Sequence, residues 1–463
     1  MSPEPAVPSR RPSRRDVLRN GLLGLGAAGA AGPIGMAATA CAPADDTRMR
    51  FMYWGSSFEQ EAVEAMLAAF ERRPGSSTPV SPLFVPREYE TKVNTLVASD
   101  KLPDVFYLGA GQGYQLAEQD WLVDVRPYFD RYPELGERLP ETYFWWDDDK
   151  TFGTQSANEV SLLWYNRALF EKAGVETPPA VAGEAWSYDQ LVETADQLTF
   201  DAEGRRPSQP GFDSNRVRQF GVSAGFSHWY PLVRSNGGDI VDETGTRYAL
   251  NSEAAVRVFQ DLQDLMYEHR VAPSAAQLGN NAPTSTVQLQ TRRTAMVIDG
   301  QWVLLDMAQS EDLDYGIGVL PAYQEPVTMA QGGASVISAR SKHPREALEL
   351  YLFHTDPRHV DLFASGLWMP LDRKYYTEPD LIDLWVDNDA HPPEYRTAVV
   401  DYALHHSVPN FAQRLRNMLN IQDLLTPALQ RIETGSDRAK TVLDELGEQV
   451  QPLLEGWYPN PLL

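Results

Sequence analysis

The sequence predicts an α/β protein built from more than one domain, and three observations support that class. From Met49 onward, short apolar runs typical of buried strands alternate with segments of helical spacing, which is the pattern of a doubly wound sheet. About 420 residues follow residue 40, more than a typical single domain contains. The chain has one cysteine, Cys41, so the fold must be stabilised by a sizeable hydrophobic core rather than by disulfides.

The first elements alternate regularly. The run "MRFMYWG" predicts a buried strand, and Phe58–Arg72 predicts a helix whose apolar residues share one face. Pro74 and Gly75 end that helix. A short strand over Val80–Val85, a helix over Tyr89–Ala98 and a strand in "DVFYL" continue the pattern.

The rest of the chain predicts further elements of both kinds. The clearest is the amphipathic helix Glu253–Glu268, because Ser252 precedes it as an N-terminal cap. Strands are predicted in "SLLWYN", "QFGVSAG", "TAMVIDG" and "YGIGVLP". The other predicted helices are Arg167–Ala173, Tyr188–Leu198, Pro344–Phe353, Pro357–Ala364, Glu394–Leu404, Ala412–Glu433 and Ala439–Leu454.

The N-terminal 40 residues have the composition of an export signal. Arg14 and Arg15 precede an uncharged stretch from about residue 21 to residue 40, which is too rich in Gly and Ala to form a good membrane-spanning helix. Ser13–Arg19 resembles the twin-arginine signal, which a receptor reads to export folded proteins. We therefore expect residues 1–40 to be a signal peptide.

The end of this segment resembles a bacterial lipobox, in which small residues precede a cysteine that is lipidated. Ala38, Thr39 and Ala40 stand directly before Cys41. The resemblance implies that Cys41 becomes the lipidated N-terminus and that residues 41–48 form a polar, structureless tether. The alternative is an ordinary secretory peptide with an incidental cysteine.

The charge of the chain excludes some partners. Its 40 Lys and Arg and 64 Asp and Glu give a net charge of −24. Removing residues 1–40 takes away five arginines and two acids and leaves −27. That charge opposes binding to nucleic acid, whose affinity comes largely from cation–phosphate contacts. It also opposes adsorption to an anionic bilayer, so lipid on Cys41 would be the membrane tether.

The order and spacing of several segments resemble the extracellular solute-binding proteins of family 1, the maltose-binding-protein-like sugar carriers of ATP-driven importers. The resemblance runs from about Met49 to Leu454. It is carried by the segments "FMYWGSSFEQEAVEAMLAAFERRPG", "EYETKVNTLVASDKLPDVFYLGAG", "LLWYNRALFEKAGVETPP", "EAWSYDQLVETADQLT", "NGGDIVD", "TAMVIDGQW", "YGIGVLPA" and "QGGASVIS".

This resemblance implies a two-lobed periplasmic-binding-protein type II fold with a hinge and a ligand cleft between the lobes. The first lobe would contain residues 49–157 and about 315–366, and the second would contain residues 158–314 and 367–463. The expected protein is a monomer, lipid-anchored at the outer face of the cell membrane. It would bind a sugar or oligosaccharide, close around it, and deliver it to the permease subunits of an ABC importer.

Aromatic residues are the first group of candidate ligand contacts. Trp302, which follows Asp299 and Gly300, matches the family tryptophan that stacks on a sugar ring, where it covers the C–H face of a pyranose. His228, Trp229 and Tyr230 match an aromatic cluster of the cleft, in which Trp229 is the candidate contact although any of the three rings could face the ligand. Trp54 and Trp368 stand near a strand end and the last predicted crossing. For Trp302 and Trp368 the alternative is packing in the core.

Polar residues and glycines are the second group. Ser56 and Glu59, at the start of the first helix, could reach ligand hydroxyls, although Glu59 is also a favourable N-terminal helix charge. Asp299 is included as a candidate carboxylate. Gly111, in a Gly-rich loop after "DVFYL", and Gly333 are expected to bring bare backbone close to the ligand.

The sequence carries no comparable signal for catalysis, a metal or a cofactor. The eight histidines show no H-E-x-x-H spacing, and the acidic loop "WWDDDK" lacks the alternation of a calcium loop. A secreted carbohydrate-active hydrolase is nevertheless an alternative from a different class. Within binding proteins, a peptide or polyamine ligand is the alternative to a sugar.

Overall fold

The structure is a computed structural model that describes residues 47–75, 78–279, 282–364 and 366–463. The expected signal peptide and Cys41 lie outside the described residues. Arg48, the last residue of the expected tether, is described, and hydrogen bonds hold its guanidinium group in place. Arg48 donates hydrogen bonds to Ser81 Oγ at 2.8 Å and to the Val80 carbonyl at 3.0 Å. The expectation of a structureless tether is therefore wrong for Arg48.

The first sheet has four strands in the order Ala334–Ile337, Val105–Leu108, Met49–Tyr53, Val80–Phe84. The three N-terminal strands are parallel, and Ala334–Ile337 runs antiparallel at one edge. All four residues of Val105–Leu108 are buried, as expected for a central strand covered on both faces. The helix Ser57–Glu71 follows the strand Met49–Tyr53 and begins where Ser56 accepts a hydrogen bond from the Glu59 N–H.

The second sheet has five strands in the order Tyr315–Gly318, Ser161–Asn166, Thr294–Gly300, Val217–Ala224, Phe200–Asp201. Val217–Ala224 and Thr294–Gly300 are parallel, and the other pairs are antiparallel. The predicted division placed residues from about 315 in the first lobe. Because Tyr315–Gly318 pairs with Ser161–Asn166 in the second sheet, we place the return to the first sheet after Gly318.

Short strands and helices complete the fold. Tyr143–Asp147 and Lys150–Thr154 form a hairpin, and Thr328–Ala330 pairs with Ser407–Pro409. Arg396–Asp401 is a π-helical segment. The remaining α-helices are Tyr89–Ala98, Ala110–Glu118, Arg167–Ala173, Tyr188–Leu198, Trp229–Ser235, Glu253–Tyr267, Ala275–Leu278, Ser285–Gln290, Leu304–Ala308, Pro344–His354, Asp361–Ala364, Lys374–Thr377, Pro379–Val386, Tyr402–His406, Met418–Glu433 and Ala439–Val450.

Three chain segments lie side by side between the two sheets, and we call them the crossing ladder: residues 155–161, 328–334 and 366–370. The Glu159 and Gln331 backbones exchange hydrogen bonds of 3.0 and 2.9 Å, and the Ser156 N–H donates to the Gly333 carbonyl at 2.8 Å. On the other side, Asn158 and Met369 exchange bonds of 3.0 and 3.3 Å. The segments that connect the sheets therefore support one another through their backbones.

Buried side chains form two hydrophobic clusters. One contains the first sheet together with one face of the second, including Trp164 and Val297. The other packs the opposite face of the second sheet against the helices Glu253–Tyr267 and Met418–Glu433. Because the first cluster spans both sheets, the predicted lobe boundaries near residues 157 and 366 stay a prediction. No helix within the described ranges is long and apolar enough to cross a membrane.

Several local predictions differ from the structure: the helices predicted over Pro357–Ala364 and Ala412–Glu433 begin later, at Asp361 and Met418. The segment "GAGQG", predicted to be a loop, begins the helix Ala110–Glu118. There, packing against neighbouring elements outweighs the weak local propensity. The acidic run "WWDDDK" lies at the turn of the hairpin Tyr143–Thr154, and its residues 147–150 are exposed, as expected for a solvated surface.

We expect Gly221→Ala to destabilise the second sheet. A Cβ atom at Gly221 would lie 2.1 Å from the Ala195 carbonyl oxygen of the packed helix Tyr188–Leu198. Overpacking of this kind costs about 1–3 kcal/mol, so the free energy of unfolding in urea should fall by that amount. Gly183→Ala is the matched control, because nothing lies within 4 Å of a Cβ there. Equal unfolding free energies for the two variants would contradict this close approach.

Candidate functional site

A cavity of ≈ 290 Å³ lies beside the crossing ladder, where segments that follow strands of both sheets meet. The ends of strands in open α/β sheets are a common location for ligands. The cavity wall combines three indole rings, one phenol and three carboxyl groups. Its lining residues are Trp54, Ser56, Glu59, Tyr107, Ser156, Ala157, Glu159, Trp302, Leu305, Asp306, Gly333, Leu367 and Trp368.

The Trp54 ring can occupy its position because Gly333 has no side chain. A Cβ atom at Gly333 would lie 2.2 Å from Trp54 Cζ2, so only glycine allows the ring to lie there. The edge-on contacts of Trp54 with Tyr89 and Tyr107 have centroid distances of 4.7 and 5.3 Å. Trp54 is half-buried, and its remaining surface is available to the cavity.

Glu59 is held over the start of the helix Ser57–Glu71. Its carboxylate accepts hydrogen bonds from the Ser56 backbone N–H and from the Trp368 indole. Gly55, at φ +145°, makes room for it, since a Cβ there would lie 2.2 Å from Glu59 Oε2. Burial nevertheless dominates and raises the pKa of Glu59 to about 7, because the charged form loses solvation that the two donors do not replace.

Glu159 and Tyr107 lack partners inside the cavity. The described part of the chain offers the Glu159 carboxyl no hydrogen bond or ion pair, and its pKa is raised well above the usual range by burial and then by the charge of Glu59. The Tyr107 side chain is 1% exposed, and its hydroxyl makes no hydrogen bond. Buried polar groups are usually satisfied, so the Tyr107 hydroxyl is a part of the wall that a ligand would complete, whereas the partly buried Glu159 carboxyl is open to the cavity.

Trp302 stands on the other side of the cavity, supported from behind. Its ring lies so close to Gly300 that a Cβ atom there would fall 2.0 Å from Trp302 Cζ3. The buried His228 ring lies nearly parallel to it at a centroid distance of 5.9 Å. Trp302 itself is half-buried, as expected for a ring with one face against protein and one towards a ligand.

Asp299 belongs to this support and does not line the cavity. Its carboxylate lies 3.5 Å from His228 Nε2 and accepts a hydrogen bond from the Ser285 hydroxyl. Burial alone would raise its pKa, but the hydrogen bonds from His228 and Ser285 hold the pKa below its usual value. His228 Nδ1 in turn contacts Ser161 Oγ at 3.0 Å. Asp299 therefore remains charged and fixes His228 behind Trp302.

The structure brings six of the nine predicted ligand-contact residues together. These are Trp54, Ser56, Glu59, Trp302, Gly333 and Trp368. Asp299 lies behind the wall. Trp229 is 5% exposed and packs against Phe259 and Phe411 in the second cluster, so the prediction that it faces the cavity is corrected.

Gly111 is also corrected. It lies in the helix Ala110–Glu118, beside a different cavity that includes Leu419. Four polar wall residues were not predicted from the sequence: Tyr107, Ser156, Glu159 and Asp306. Only the crossing ladder brings Ser156 and Glu159 to the wall, and no local pattern marks them.

The charged side chains of the wall are all acidic. Glu59, Glu159 and Asp306 contribute carboxyl groups, whereas none of the described lining residues is Lys, Arg or His. Within the described ranges, no group of three or more His, Cys, Asp or Glu side chains is arranged to hold a metal ion. The cavity is built for contact with apolar ring faces and with hydrogen-bond donors.

A cavity of this kind, lined from two α/β sheets whose connections cross beside it, defines a two-lobed protein that binds a small solute between its lobes. The model of the bacterial extracellular solute-binding protein family matches residues 55–358. The chain belongs to this family, whose members are substrate-binding components of importers that act outside the cytoplasm.

Individual relatives are distant in sequence but similar in fold. The sn-glycerol-3-phosphate-binding periplasmic protein UgpB of Brucella abortus (strain 2308) is 23% identical over 349 residues, which cover 72% of this chain and 76% of UgpB. The ABC substrate-binding protein Lmo0181 of Listeria monocytogenes, in complex with cycloalternan, superposes with a TM-score of 0.74 at 21% identity and covers 88% and 99% of the two chains. Maltose-bound T. maritima MalE3 gives a TM-score of 0.69 at 19% identity, covering 88% and 100%.

The raised pKa of Glu59 predicts a pH-dependent cost to stability. Between the ordinary carboxyl pKa of 4.5 and about 7, the folded protein holds a proton that the unfolded chain has lost. The contribution of Glu59 to stability therefore falls as the pH rises through that window. Glu59→Gln removes this loss. The difference between the melting temperature of the variant and that of the wild type should therefore become more positive from pH 5 to pH 8.

The control for this measurement is Glu61→Gln, which changes an exposed carboxylate on the same helix. Its melting temperature should follow that of the wild type at each pH. If Glu59→Gln also showed the same difference from wild type at pH 5 and pH 8, the carboxyl would not be perturbed as described.

Proposed function

We propose that this chain captures a sugar or oligosaccharide and delivers it to the permease subunits of an ABC importer. The observation that carries the proposal is the shared wall of Trp54, Trp302 and Trp368 with carboxyl groups between them. Indole rings cover the C–H face of a pyranose, and carboxylates accept hydrogen bonds from its hydroxyl groups. Lmo0181 with cycloalternan and MalE3 with maltose show this fold in complex with saccharides.

The glycerophosphate named for the UgpB relatives fits this wall less well. A phosphate group is usually bound by Arg, Lys or backbone N–H groups, and the described wall residues include no cationic side chain. A peptide or polyamine remains the alternative within binding proteins. A thermal-shift screen with mono- and oligosaccharides, sn-glycerol 3-phosphate and spermidine tests these classes together. A shift with sn-glycerol 3-phosphate alone would overturn the sugar assignment.

We propose that the protein is not an enzyme, although Glu59 and Glu159 line one cavity as the acid pair of a glycoside hydrolase would. The family supports binding, and its members are substrate-binding proteins. Release of reducing sugar from an oligosaccharide that shifts the melting temperature would reverse this assignment.

We also propose that the protein is an exported monomeric lipoprotein. The support is the twin-arginine-like segment, followed by Ala38-Thr39-Ala40-Cys41. Multiple acylation of one cysteine would be enough to hold a protein of this size at a membrane, whereas a single chain would not.

Trp302→Ala should weaken binding of a sugar found in the screen by roughly thirtyfold. Loss of a central aromatic anchor commonly costs about 2 kcal/mol, and 1.4 kcal/mol corresponds to tenfold in affinity. Isothermal titration calorimetry on the folded variant gives the dissociation constant, and a melting curve on the same sample gives its stability.

Trp229→Ala is the matched control, since this ring packs in the second cluster. Its removal should cost about 3–5 kcal/mol of stability and leave the affinity per folded molecule nearly unchanged. An unchanged dissociation constant for Trp302→Ala would remove Trp302 from the binding site.

Cys41→Ala should release the protein from the membrane fraction of cells that express the full chain. The wild-type chain should incorporate a radiolabelled fatty acid, and the variant should not. Retention of the variant in the membrane fraction would show that the anchor lies elsewhere.

A further inference from the structure

The described wall of the cavity carries three carboxyl groups and no cationic side chain to balance them. Glu59, Glu159 and Asp306 come from three separate segments of the chain and face one space. None of the three forms an ion pair with any residue that the structure describes. The lining residues also supply hydroxyl and indole donors, so what the described wall lacks is a positive charge rather than a hydrogen-bond donor.

The polar groups that lack partners lie beside these acids. The Glu159 carboxyl has no hydrogen-bond partner among the described residues, and the Tyr107 hydroxyl, on a 1% exposed side chain, has none either. The Tyr107 ring packs against Trp54 at 5.3 Å and lies near Trp368 at 6.4 Å. Carboxyl groups without a cationic partner are therefore bordered by aromatic rings, which attract a positive charge through their π faces.

We propose that the saccharide bound in this cavity carries a protonated amino group, which Glu159 and Glu59 bind beside the indole rings. An ammonium group is a cation with three donors, so it supplies the positive charge that the three carboxyl groups lack, which a hydroxyl does not. This inference rests on the proposed function and specifies the class of sugar. It also separates this chain from the relatives named for glycerol phosphate, because a phosphate would meet three carboxyl groups of like charge.

The raised pKa values of the carboxyl groups in the wall are consistent with the same ligand. Burial raises the pKa of Glu59 and Glu159, and each carboxyl faces the other rather than a cation. The other titratable groups coupled to Glu59 are Tyr53 and Tyr107, which stay neutral because burial raises the pKa of both phenols. A bound ammonium group would favour the charged carboxylates, so binding should release protons from the protein.

The test compares sugars that differ only in charge. The mature protein is titrated with glucosamine against glucose, galactosamine against galactose, and chitosan oligosaccharides against cello-oligosaccharides and N-acetylated chitin oligosaccharides. sn-Glycerol 3-phosphate and spermidine are included as an anion and as a cation without a sugar ring. At least one amino sugar should bind tenfold or more tightly than its neutral and N-acetylated partners.

Two further measurements identify the origin of that preference. Calorimetry at pH 7 in buffers of different ionisation enthalpy should show proton release on binding of the amino sugar. Glu159→Gln should reduce the preference for the amino sugar by tenfold or more, while Glu61→Gln, on the exposed face of its helix, should keep it.

The remaining outcomes all count against the proposal, and they distinguish a wrong charge preference from a wrong class of ligand. If a neutral sugar binds as tightly as its amino partner, the charge preference is wrong and sugar binding stands. If spermidine binds and no sugar does, the ligand is a polyamine and both proposals are wrong. If sn-glycerol 3-phosphate binds and no sugar does, or if no probe binds, both proposals are again wrong.

Discussion

The crossing ladder is the constraint on which the arrangement of the site depends. Its backbone hydrogen bonds join residues 155–161 to 328–334 on one side and to Met369 on the other. The same residues contribute Ser156, Glu159, Gly333 and Trp368 to the cavity wall. Since the ladder connects the two sheets, the wall cannot be rearranged locally without disturbing the passages of the chain from one sheet to the other. This is why a carboxyl as costly to bury as Glu159 can be held among aromatic rings.

Much of the fold could be predicted because its helix boundaries are marked locally. The helices Arg167–Ala173 and Tyr188–Leu198 were predicted to the residue. The first is capped by Asn166 and ended by Gly174 at φ +66°, and the second begins with a capping box at Ser187. The helix Ala110–Glu118 could not be predicted in this way, because glycine disfavours helices. Its glycines are explained by packing, since a Cβ at Gly113 would lie 2.9 Å from the Phe152 ring.

The candidate site was predictable to a lesser extent. Trp302 and Glu59 could be named because the family resemblance and the helix start mark their positions. Trp229 could not be assigned correctly because adjacent residues at a helix start point in different directions: His228 lies behind Trp302, whereas Trp229 packs on Phe259. Tyr107 and Glu159 sit in a strand and in a connection that carry no functional pattern. Their role depends on pairing between segments distant in sequence.

Charge acts at two scales in this protein. The chain carries a net charge of −24, and its cavity adds carboxyl groups where the ligand would lie. A field of one sign over a protein and its cleft lowers the local concentration of anions and raises that of cations. The raised pKa of Glu59 limits how much of that charge is present near neutrality. The wall is therefore an acceptor surface whose charge depends on what occupies it.

The same geometry connects binding to a change in shape. Glu59 and Tyr107 are attached to the first sheet, Trp302 and Asp306 follow a strand of the second, and Glu159 belongs to the ladder between them. A ligand that contacts both groups would depend on how the two sheets are placed relative to each other. A ligand shifts a conformational equilibrium only by its difference in affinity for the two states. Each side carries an aromatic ring and a carboxyl group, Trp54 with Glu59 on the first sheet and Trp302 with Asp306 after a strand of the second, so a saccharide held by both sides would favour the arrangement in which both reach it.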